Sequence, residues 1–127
     1  MATPTDRLYT KEHEWVRLDG QSAVVGITDY AQSSLGDIVY VEMPKPGTTV
    51  DRGKPIGVVE SVKAVSDIYA PVSGTVAEVN AAVEEDQTKV NSDPFGDGWL
   101  VKLTLTDASD KTGLMEAAAY DDLVKSL

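Results

Sequence analysis

Short runs of apolar and β-branched residues recur along most of the chain, and turn-forming residues separate them. In several runs apolar and polar positions alternate, which is typical of strands that bury one face. The pattern predicts a mainly β protein, with strands at residues 16–18, 23–27, 38–43, 56–59, 68–72, 75–79 and 99–105. Asp19-Gly20 favours a tight turn, so we expect the first two strands to form a hairpin.

One short helix is predicted between the second and third strands. Thr28 can cap its N-terminus, and Asp29 lies where the helix dipole favours a negative charge. Gly36 is a typical residue after the end of a helix. We therefore expect a helix over residues 29–35.

The C-terminal part of the chain is helical in composition, and we expect a helical segment over about residues 108–126. Gly113 lowers helix propensity and Glu116 is a poor N-cap, so two short helices should meet there. The second helix, rich in alanine, should pack its apolar side chains on the sheet: Tyr120, Leu123 and Val124.

A weak internal repeat is visible in the middle of the chain. Gly36-x-Ile-Val-x-Val matches Gly74-x-Val-Ala-x-Val at an offset of 38 residues. A turn-rich segment and a second apolar strand follow each copy. Two similar half-units predict two small packed sheets with pseudo-twofold symmetry, and they place residue 63 at the joint between them.

Composition limits the functions that the chain can perform. Its 127 residues suit one domain, which we expect to span 1–127. The net charge of −10 argues against nucleic acid and anionic membranes as partners. No apolar run approaches the ~20 residues of a membrane span. The N-terminus lacks the features of a signal or transit sequence, so we expect a cytoplasmic protein.

The chain also has few groups for chemistry of its own. It contains no cysteine and one histidine, which excludes a disulfide, a cysteine nucleophile and a thiolate metal site. A metal site at Glu12-His13-Glu14 is rejected, because a strand points consecutive side chains to opposite faces. No set of nucleophile, base and orienting group is visible. Redox or group-transfer chemistry would need an imported group.

The hairpin predicted from the strands at 56–59 and 68–72 has an unusual tip. Tight hairpins favour Asn-Gly or Asp-Gly, but here the tip is Val62-Lys63-Ala64-Val65, and β-branched residues resist positive φ. A local rule that is broken at an exposed point indicates a candidate site. Lys63 is either one solvated lysine among eight or an amine that an enzyme acylates, with loss of its charge.

The sequence around this lysine, Glu60-Ser-Val-Lys63-Ala-Val-Ser-Asp67, resembles the lipoyl-attachment segment of the glycine cleavage system H proteins. Other segments resemble motifs of the same family in the same order: Tyr9-Thr-Lys-Glu-His-Glu-Trp15, Gly26-Ile-Thr-Asp-Tyr-Ala-Gln32, Leu35-Gly-Asp-Ile-Val39, Ala70-Pro-Val-Ser-Gly74 and Asp93-Pro-Phe-Gly-Asp-Gly-Trp99. The resemblance extends from about residue 8 to about residue 123, and collinear motifs are more specific than Glu-Ser-Val-Lys alone.

The resemblance implies a lipoyl-domain-like β-sandwich or flattened barrel with a C-terminal helix. It implies a carrier, not an enzyme, with lipoic acid in an amide bond to Lys63, whose dithiolane supplies the sulfur that the chain lacks. The implied partners are a pyridoxal-phosphate-dependent glycine decarboxylase, an aminomethyltransferase and dihydrolipoyl dehydrogenase. A lipoyl or octanoyl transferase, or a lipoate ligase, would attach the cofactor.

The family's functional residues map onto further positions of this sequence. Residues matching Glu60, Gly47 and Gly74 assist the lipoylating enzyme, and we expect each glycine to let the backbone turn beside the hairpin. Carboxylates matching Glu14 and Asp67 would face the aminomethyl cation in a surface cleft; the alternative is two ordinary surface carboxylates.

Two departures from the family pattern concern the cleft and the surface, not the attachment site. Some family members have a histidine at the position of Ser34, so a histidine contact with the arm is absent here. Many members have Ser-Pro where this chain has Asp86-Gln87.

Three other functions compete with the carrier of glycine cleavage. A lipoyl or biotinyl domain of an acyltransferase or carboxylase usually has Asp-Lys-Ala or Met-Lys-Met at the lysine and belongs to a longer chain. A free-standing enzyme would use Glu12, His13 and Glu14, which do not form a set of nucleophile, base and orienting group. A lipoyl relay, which would pass its lipoyl group to other enzymes, is a related variant that need not compete with the carrier. An unmodified binding module would leave Lys63 inert.

Overall fold

The computed structural model describes residues 3–127, which form a mainly antiparallel β structure. Its strands are β1 (Leu8–Tyr9), β2 (Glu14–Asp19), β3 (Ser22–Ile27), β4 (Ile38–Glu42), β5 (Thr49–Val50), β6 (Pro55–Ser61), β7 (Val65–Tyr69), β8 (Gly74–Val79) and β9 (Val101–Leu105). Its helices are α1 (Asp29–Leu35), α2 (Ala81–Glu85), α3 (Thr88–Ser92) and α4 (Ala117–Lys125). The prediction of a mainly β protein is confirmed.

Two sheets enclose the main core. One has six strands in the order β1-β2-β3-β9-β8-β5, and the other has three in the order β4-β6-β7. Val25 and Leu103 on the larger sheet and Val59 and Ile68 on the smaller sheet belong to one buried cluster. The two repeated segments, β4 and β8, lie in different sheets, and each pairs with the second strand of its half-unit.

Helix α1 has the predicted bounds. The Thr28 hydroxyl accepts a hydrogen bond from the N–H of Ala31, and Gly36 ends the helix with φ of 85°. This end matters for the candidate site, because the chain passes from Gly36 directly into β4, beside the hairpin of β6 and β7.

The predicted helical segment at 108–126 is wrong in its first half, since α4 covers only Ala117–Lys125. The carboxylate of Asp107 accepts bonds from the N–H and hydroxyl of Ser109, and Asp110 does the same with Thr112. Such local side-chain bonds compete with helix formation. Met115 then exchanges two backbone bonds of 2.8 Å with Tyr9, which fixes an extended conformation there.

Helix α4 packs as predicted. Tyr120 is buried against Tyr9, with ring centroids 4.8 Å apart, and Leu123 and Val124 pack against the same cluster. This second cluster lies on the larger sheet beside Trp15. No helix within residues 3–127 is long and apolar enough to cross a membrane.

Candidate functional site

Lys63 lies at the exposed tip of the hairpin between β6 and β7. The N–H of Ser61 donates to the carbonyl of Ala64 at 2.8 Å, and the Ser61 hydroxyl oxygen accepts from the N–H of Ala64 at 3.0 Å and from that of Lys63 at 3.3 Å. Among the non-glycine residues that the structure describes, His13 alone has a positive φ, so no residue of the turn around Lys63 has one. A serine hydroxyl therefore stabilises this tip without the positive φ that usual tight turns need.

The hairpin tip rests on the loop that follows α1. The N–H of Val62 donates to the carbonyl of Asp37 at 3.1 Å. A Cβ atom added to Gly36 would lie 3.5 Å from Cε of Lys63, so the lysine side chain passes directly over this glycine. The helix end thus forms a support for the tip.

Asn91 holds this support in place. Its side-chain oxygen accepts from the N–H of Ile38, and its amide nitrogen donates to the carbonyl of Gly36 and the side chain of Gln32, all at 2.9 Å. Sequence reasoning missed Asn91, because its partners lie 53–59 residues away and nothing local marks it. Ser61 was also missed, although a serine two residues before a turn lysine is a recognisable turn former.

The three-stranded sheet turns one face away from the core. Tyr40 pairs with Glu60 and Glu60 with Val65, so these side chains form one row across the sheet. A second row consists of Glu42, Val58 and Asp67. A bulge between Ile38 and Tyr40 leaves Val39 exposed as well. We call this surface the outer face.

Glu14 is buried, not a surface carboxylate as one alternative had it. Its side chain is 2% exposed, and it accepts bonds from the Thr10 hydroxyl at 2.6 Å and the N–H of Tyr69 at 3.3 Å. Burial raises the pKa of Glu14 to about 7. Two donors thus position a carboxyl group that changes its charge near neutral pH.

Glu14 lines a cavity of about 310 Å³. One wall comes from the loop between β1 and β2 and from the end of β7 around Tyr69, and the other comes from Thr112, Gly113 and Met115. Arg52 also lines the cavity and donates to the carboxylate of Asp110 at 3.2 Å and to the carbonyl of Thr112 at 3.4 Å. The non-helical segment before α4 therefore forms one side of this open cavity, and Arg52 and the Tyr9–Met115 pairing tie the segment to the sheets.

The structure does not place Asp67 in the cavity of Glu14. Asp67 is exposed and lines a separate groove with Glu42 and Val58. Val65, Asp67 and Tyr69 are alternate residues of β7, so they share one face of the strand. This row leads from the hairpin tip past Asp67 to the cavity of Glu14.

The two glycines predicted to assist lipoylation lie next to β5 and β8, in the larger sheet. Gly47 has φ of 92° in a turn and donates its N–H to the carbonyl of Val76 at 2.7 Å. The expectation that Gly74 lets the backbone turn is wrong, because Gly74 is the first residue of β8. A Cβ atom there would collide with the carbonyl oxygen of Thr104, so close strand packing requires this glycine.

The side chain of His13, which precedes Glu14 in the sequence, points away from the cavity of Glu14. Nδ1 of His13 lies 2.8 Å from the hydroxyl of Tyr120, and that hydroxyl lies 2.7 Å from Oγ1 of Thr28. His13 also packs on the ring of Tyr30, and its backbone has φ of 70°. His13 therefore joins α4 to α1, whereas Glu14 faces Thr10 and Tyr69, so the two side chains do not converge on one point.

Comparison with known proteins agrees with this geometry. The model of the family described as glycine cleavage H-protein matches residues 7–127. The chain is 51% identical over 123 residues to the glycine cleavage system H protein of Myxococcus xanthus, covering 97% of this chain and 95% of the relative. It is 56% identical over 118 residues to that of Herpetosiphon aurantiacus, covering 93% and 90%.

A solved structure extends the likeness to the whole fold. The crystal structure of a glycine cleavage system H protein from Mycobacterium marinum matches with a TM-score of 0.88 and 40% sequence identity, covering 98% of this chain and 99% of that one. The lipoyl-domain-like arrangement of two sheets that the resemblance implied is confirmed by this match. The chain belongs to the glycine cleavage H-protein family.

Proposed function

We propose that this chain is the lipoyl-bearing carrier of the glycine cleavage system and that Lys63 is its attachment residue. As a carrier it would shuttle the aminomethyl group of glycine between the enzymes of that system, and it is not itself a catalyst. The observation that carries the proposal is an exposed lysine at the tip of a well-held hairpin, in a chain that matches the family over residues 7–127. Family membership favours this carrier over a lipoyl relay.

The surroundings of Lys63 suit a covalently attached lipoyl group. Within residues 3–127, the ion pairs involve Arg7, Arg52 and Lys102, so the Lys63 amine is not engaged by a carboxylate. When it is bound, the lipoyl dithiolane would supply the redox-active sulfur that the chain lacks. Neutralising an exposed, unpaired ammonium removes no contact that stabilises the fold.

The hairpin holds the attachment point of the lipoyl arm in a fixed position. Ser61 fixes the turn, and Asp37 and Gly36 support it from below. A tether that begins at a fixed point keeps its far end at high effective concentration near a docked enzyme. Each transfer then becomes nearly intramolecular, which is the physical contribution of a carrier.

The cavity of Glu14 suits a small cation that arrives along β7. Asp67 is an exposed carboxylate between the tip and Tyr69, and we assign to it the attraction of the cation toward the cavity. Glu14 is the buried counter-charge, held by Thr10 and Tyr69. A cation beside it favours the charged carboxylate and lowers its pKa again. Glu60, Gly47 and Gly74 are proposed to assist lipoylation, the glycines through the local conformation that they permit.

The specific partners belong to the same proposal. They are a pyridoxal-phosphate-dependent glycine decarboxylase, an aminomethyltransferase, dihydrolipoyl dehydrogenase and a lipoyl or octanoyl transferase or lipoate ligase. The exposed acidic surface suits basic docking faces on such enzymes. A cytoplasmic site of action stays a prediction, which imaging of a tagged chain in its host would test.

The direct test is the intact mass of the chain purified from its own host, with peptide mapping across Lys63. We expect a lipoyl or octanoyl increment on Lys63 and none on Lys63→Arg, with Lys54→Arg modified like the wild type. The modified chain should then support glycine decarboxylation by the purified decarboxylase. A biotin increment, or a Lys63 that a lipoate ligase leaves unmodified, would contradict the proposal.

A further inference from the structure

The outer face concentrates apolar side chains around Lys63. Among residues 3–127 five large apolar residues are about half or more exposed: Val39, Tyr40, Val62, Val65 and Leu127. Leu127 lies beyond α4, away from this sheet, and the other four lie on β4 or at the hairpin tip. Exposed apolar residues are usually scattered, so a cluster indicates a surface that another molecule covers. We call these four residues the tip patch.

The geometry brings the tip patch up to the lysine. Val62 precedes Lys63, and Val65 begins β7 immediately after the turn. Tyr40 lies in the same cross-strand row as Val65, with Glu60 between them. Val39 is added by the bulge in β4. A protein surface that docks on this turn to reach Nζ of Lys63 would therefore meet Val62 and Val65 first, with Tyr40 and Val39 beside them on the sheet.

The charges around the tip patch indicate the chemistry of the surface that would cover it. The three strands of this sheet and the turn between β6 and β7 contain the carboxylates Glu42, Glu60 and Asp67, and their one cation is Lys63. Asp37, just before β4, is also exposed and acidic. An apolar centre with a negative rim is complementary to an apolar surface that lysine or arginine residues surround.

We infer that the tip patch is the docking surface for the enzyme that acylates Lys63, an enzyme whose contact surface is apolar with a basic rim. The inference rests on the proposed attachment at Lys63. In the reaction Nζ bonds to the acyl carbon of an activated donor, the activating group leaves that carbon, and Nζ loses two of its three ammonium protons to solvent while the amide keeps the third. The acylating enzyme must place its reacting atoms on Nζ itself, whereas the enzymes of the cycle act at the far end of the arm.

The test measures acylation of the whole purified apoprotein by a lipoate–protein ligase with lipoic acid and ATP. Val62→Thr combined with Val65→Thr keeps β-branched shapes at exposed positions, so the fold should be retained. Leu127→Thr is a matched control, because Val62 and Leu127 are both 68% exposed. Tyr40→Thr tests the patch independently from another strand.

We expect the double variant and Tyr40→Thr to raise KM for the apoprotein by roughly tenfold each, with kcat retained, as for residues that carry binding energy. Leu127→Thr should match the wild type. Added salt should lower kcat/KM of the wild type, and Glu42→Gln should weaken that salt dependence.

Several outcomes would overturn the inference while leaving the proposed function intact. One is acylation of the patch variants at the rate of Leu127→Thr. Another is normal acylation followed by failure of the lipoylated variants with the glycine decarboxylase, which would assign the patch to a later enzyme. A third is a wild-type dimer that the variants convert to a monomer, which would assign it to a second copy. A wild-type chain that is not acylated at Lys63 would instead contradict the proposed function itself.

Discussion

The side-chain oxygen of Asn91 accepts a hydrogen bond from the N–H of Ile38 at 2.9 Å, which fixes the first residue of β4 beside the hairpin of Lys63. The same side chain donates to the carbonyl of Gly36, directly below the lysine. Between these two contacts lies Asp37, whose carbonyl accepts from the N–H of Val62. Asn91 thus acts on the tip through the loop after α1 and is a positioning residue.

We predict that Asn91→Asp loosens the hairpin tip, because it removes both donors and places a carboxylate against the carbonyl of Gly36. The free energy of unfolding should fall by about 1–3 kcal/mol. Hydrogen exchange at the amide of Val62 should speed up, and kcat/KM for lipoylation should fall roughly twofold to thirtyfold, as expected for coupling through packed networks.

Asn80→Asp is the matched control for that prediction. Asn80 also makes three hydrogen bonds, to the carbonyls of Asp97 and Trp99 and from the N–H of Ala82, but none touches the hairpin. The Asn80→Asp variant should lose a similar amount of unfolding free energy, but hydrogen exchange at the amide of Val62 and the rate of lipoylation should stay normal. Equal effects of both variants on lipoylation would show that Asn91 matters only for overall stability.

A second prediction concerns pH. Because burial raises the pKa of Glu14 from 4.5 to about 7, the folded protein binds more protons than the unfolded chain between these pH values. The free energy of unfolding should therefore fall as pH rises through this window, by about 3 kcal/mol from this residue. The full contribution is present below pH 4.5 and is lost above pH 7.

Glu14→Gln should remove this slope, which urea denaturation from pH 4 to pH 8 would measure as a difference from wild type. Substitution of an exposed carboxylate that does not act on Glu14, Glu85→Gln on α2, should leave the slope unchanged. A difference between wild type and Glu14→Gln that stays constant with pH would contradict the assignment of a raised pKa to this buried carboxyl.

A third prediction addresses the cation that the carrier is proposed to hold. Glu14→Ala and Asp67→Asn should still be fully lipoylated, but they should release the aminomethyl group sooner than wild type. The effect should be roughly tenfold or more for Glu14, because its charge is buried. For the exposed Asp67 it should be about fivefold at most, since solvent screens it.

The measurement is the decay of the loaded protein by mass spectrometry, with Glu85→Gln on α2 as the control for an exposed carboxylate. Because the bound cation lowers the pKa of Glu14 below its value of about 7 in the free protein, the lifetime of the wild type should shorten toward that of Glu14→Ala only well below pH 7, as Glu14 takes up a proton. If neither variant changes the release rate, Glu14 and Asp67 are not counter-charges of the aminomethyl cation.

A fourth prediction separates two kinds of glycine. Gly47→Ala should cost about 1 kcal/mol, because its positive φ is strained for alanine although the surrounding space is open. Gly74→Ala should cost more, about 1–3 kcal/mol, because the new methyl group meets the backbone of Thr104.

Thermal unfolding gives the two costs, and lipoylation rates are then compared at a temperature where both variants are fully folded. Gly20→Ala, at another positive φ with open space, serves as the control. If lipoylation of Gly47→Ala and Gly74→Ala equals that of the control, the two glycines act through stability alone.

The features that local signals specify could be predicted from the sequence. The Thr28 cap and the Gly36 stop fixed α1, and alternation fixed the buried face of β9, with Val101, Leu103 and Leu105. The lysine at the hairpin tip followed from a missing turn signal. These predictions needed only residues within a few positions of one another.

Features that depend on distant partners could not be predicted. The burial of Glu14 could not be predicted, because one of its hydrogen-bond donors, Tyr69, lies 55 residues away and no local pattern reveals that contact. The helix expected before Gly113 failed partly for the same reason, since Met115 pairs with Tyr9. Asp67 was grouped with Glu14 through the family resemblance, but strand pairing places it on the outer face.

The turn of residues 62–64 contains no glycine, and the hydroxyl of Ser61 holds it. The flexible part of the tether therefore begins at the lysine side chain, not in the backbone. The reactive end of an attached arm explores a volume whose radius is set by the bonds of that side chain and its cofactor. A glycine at residue 62 or 64 would enlarge this volume and dilute the reactive end within it, with every contact in the core unchanged.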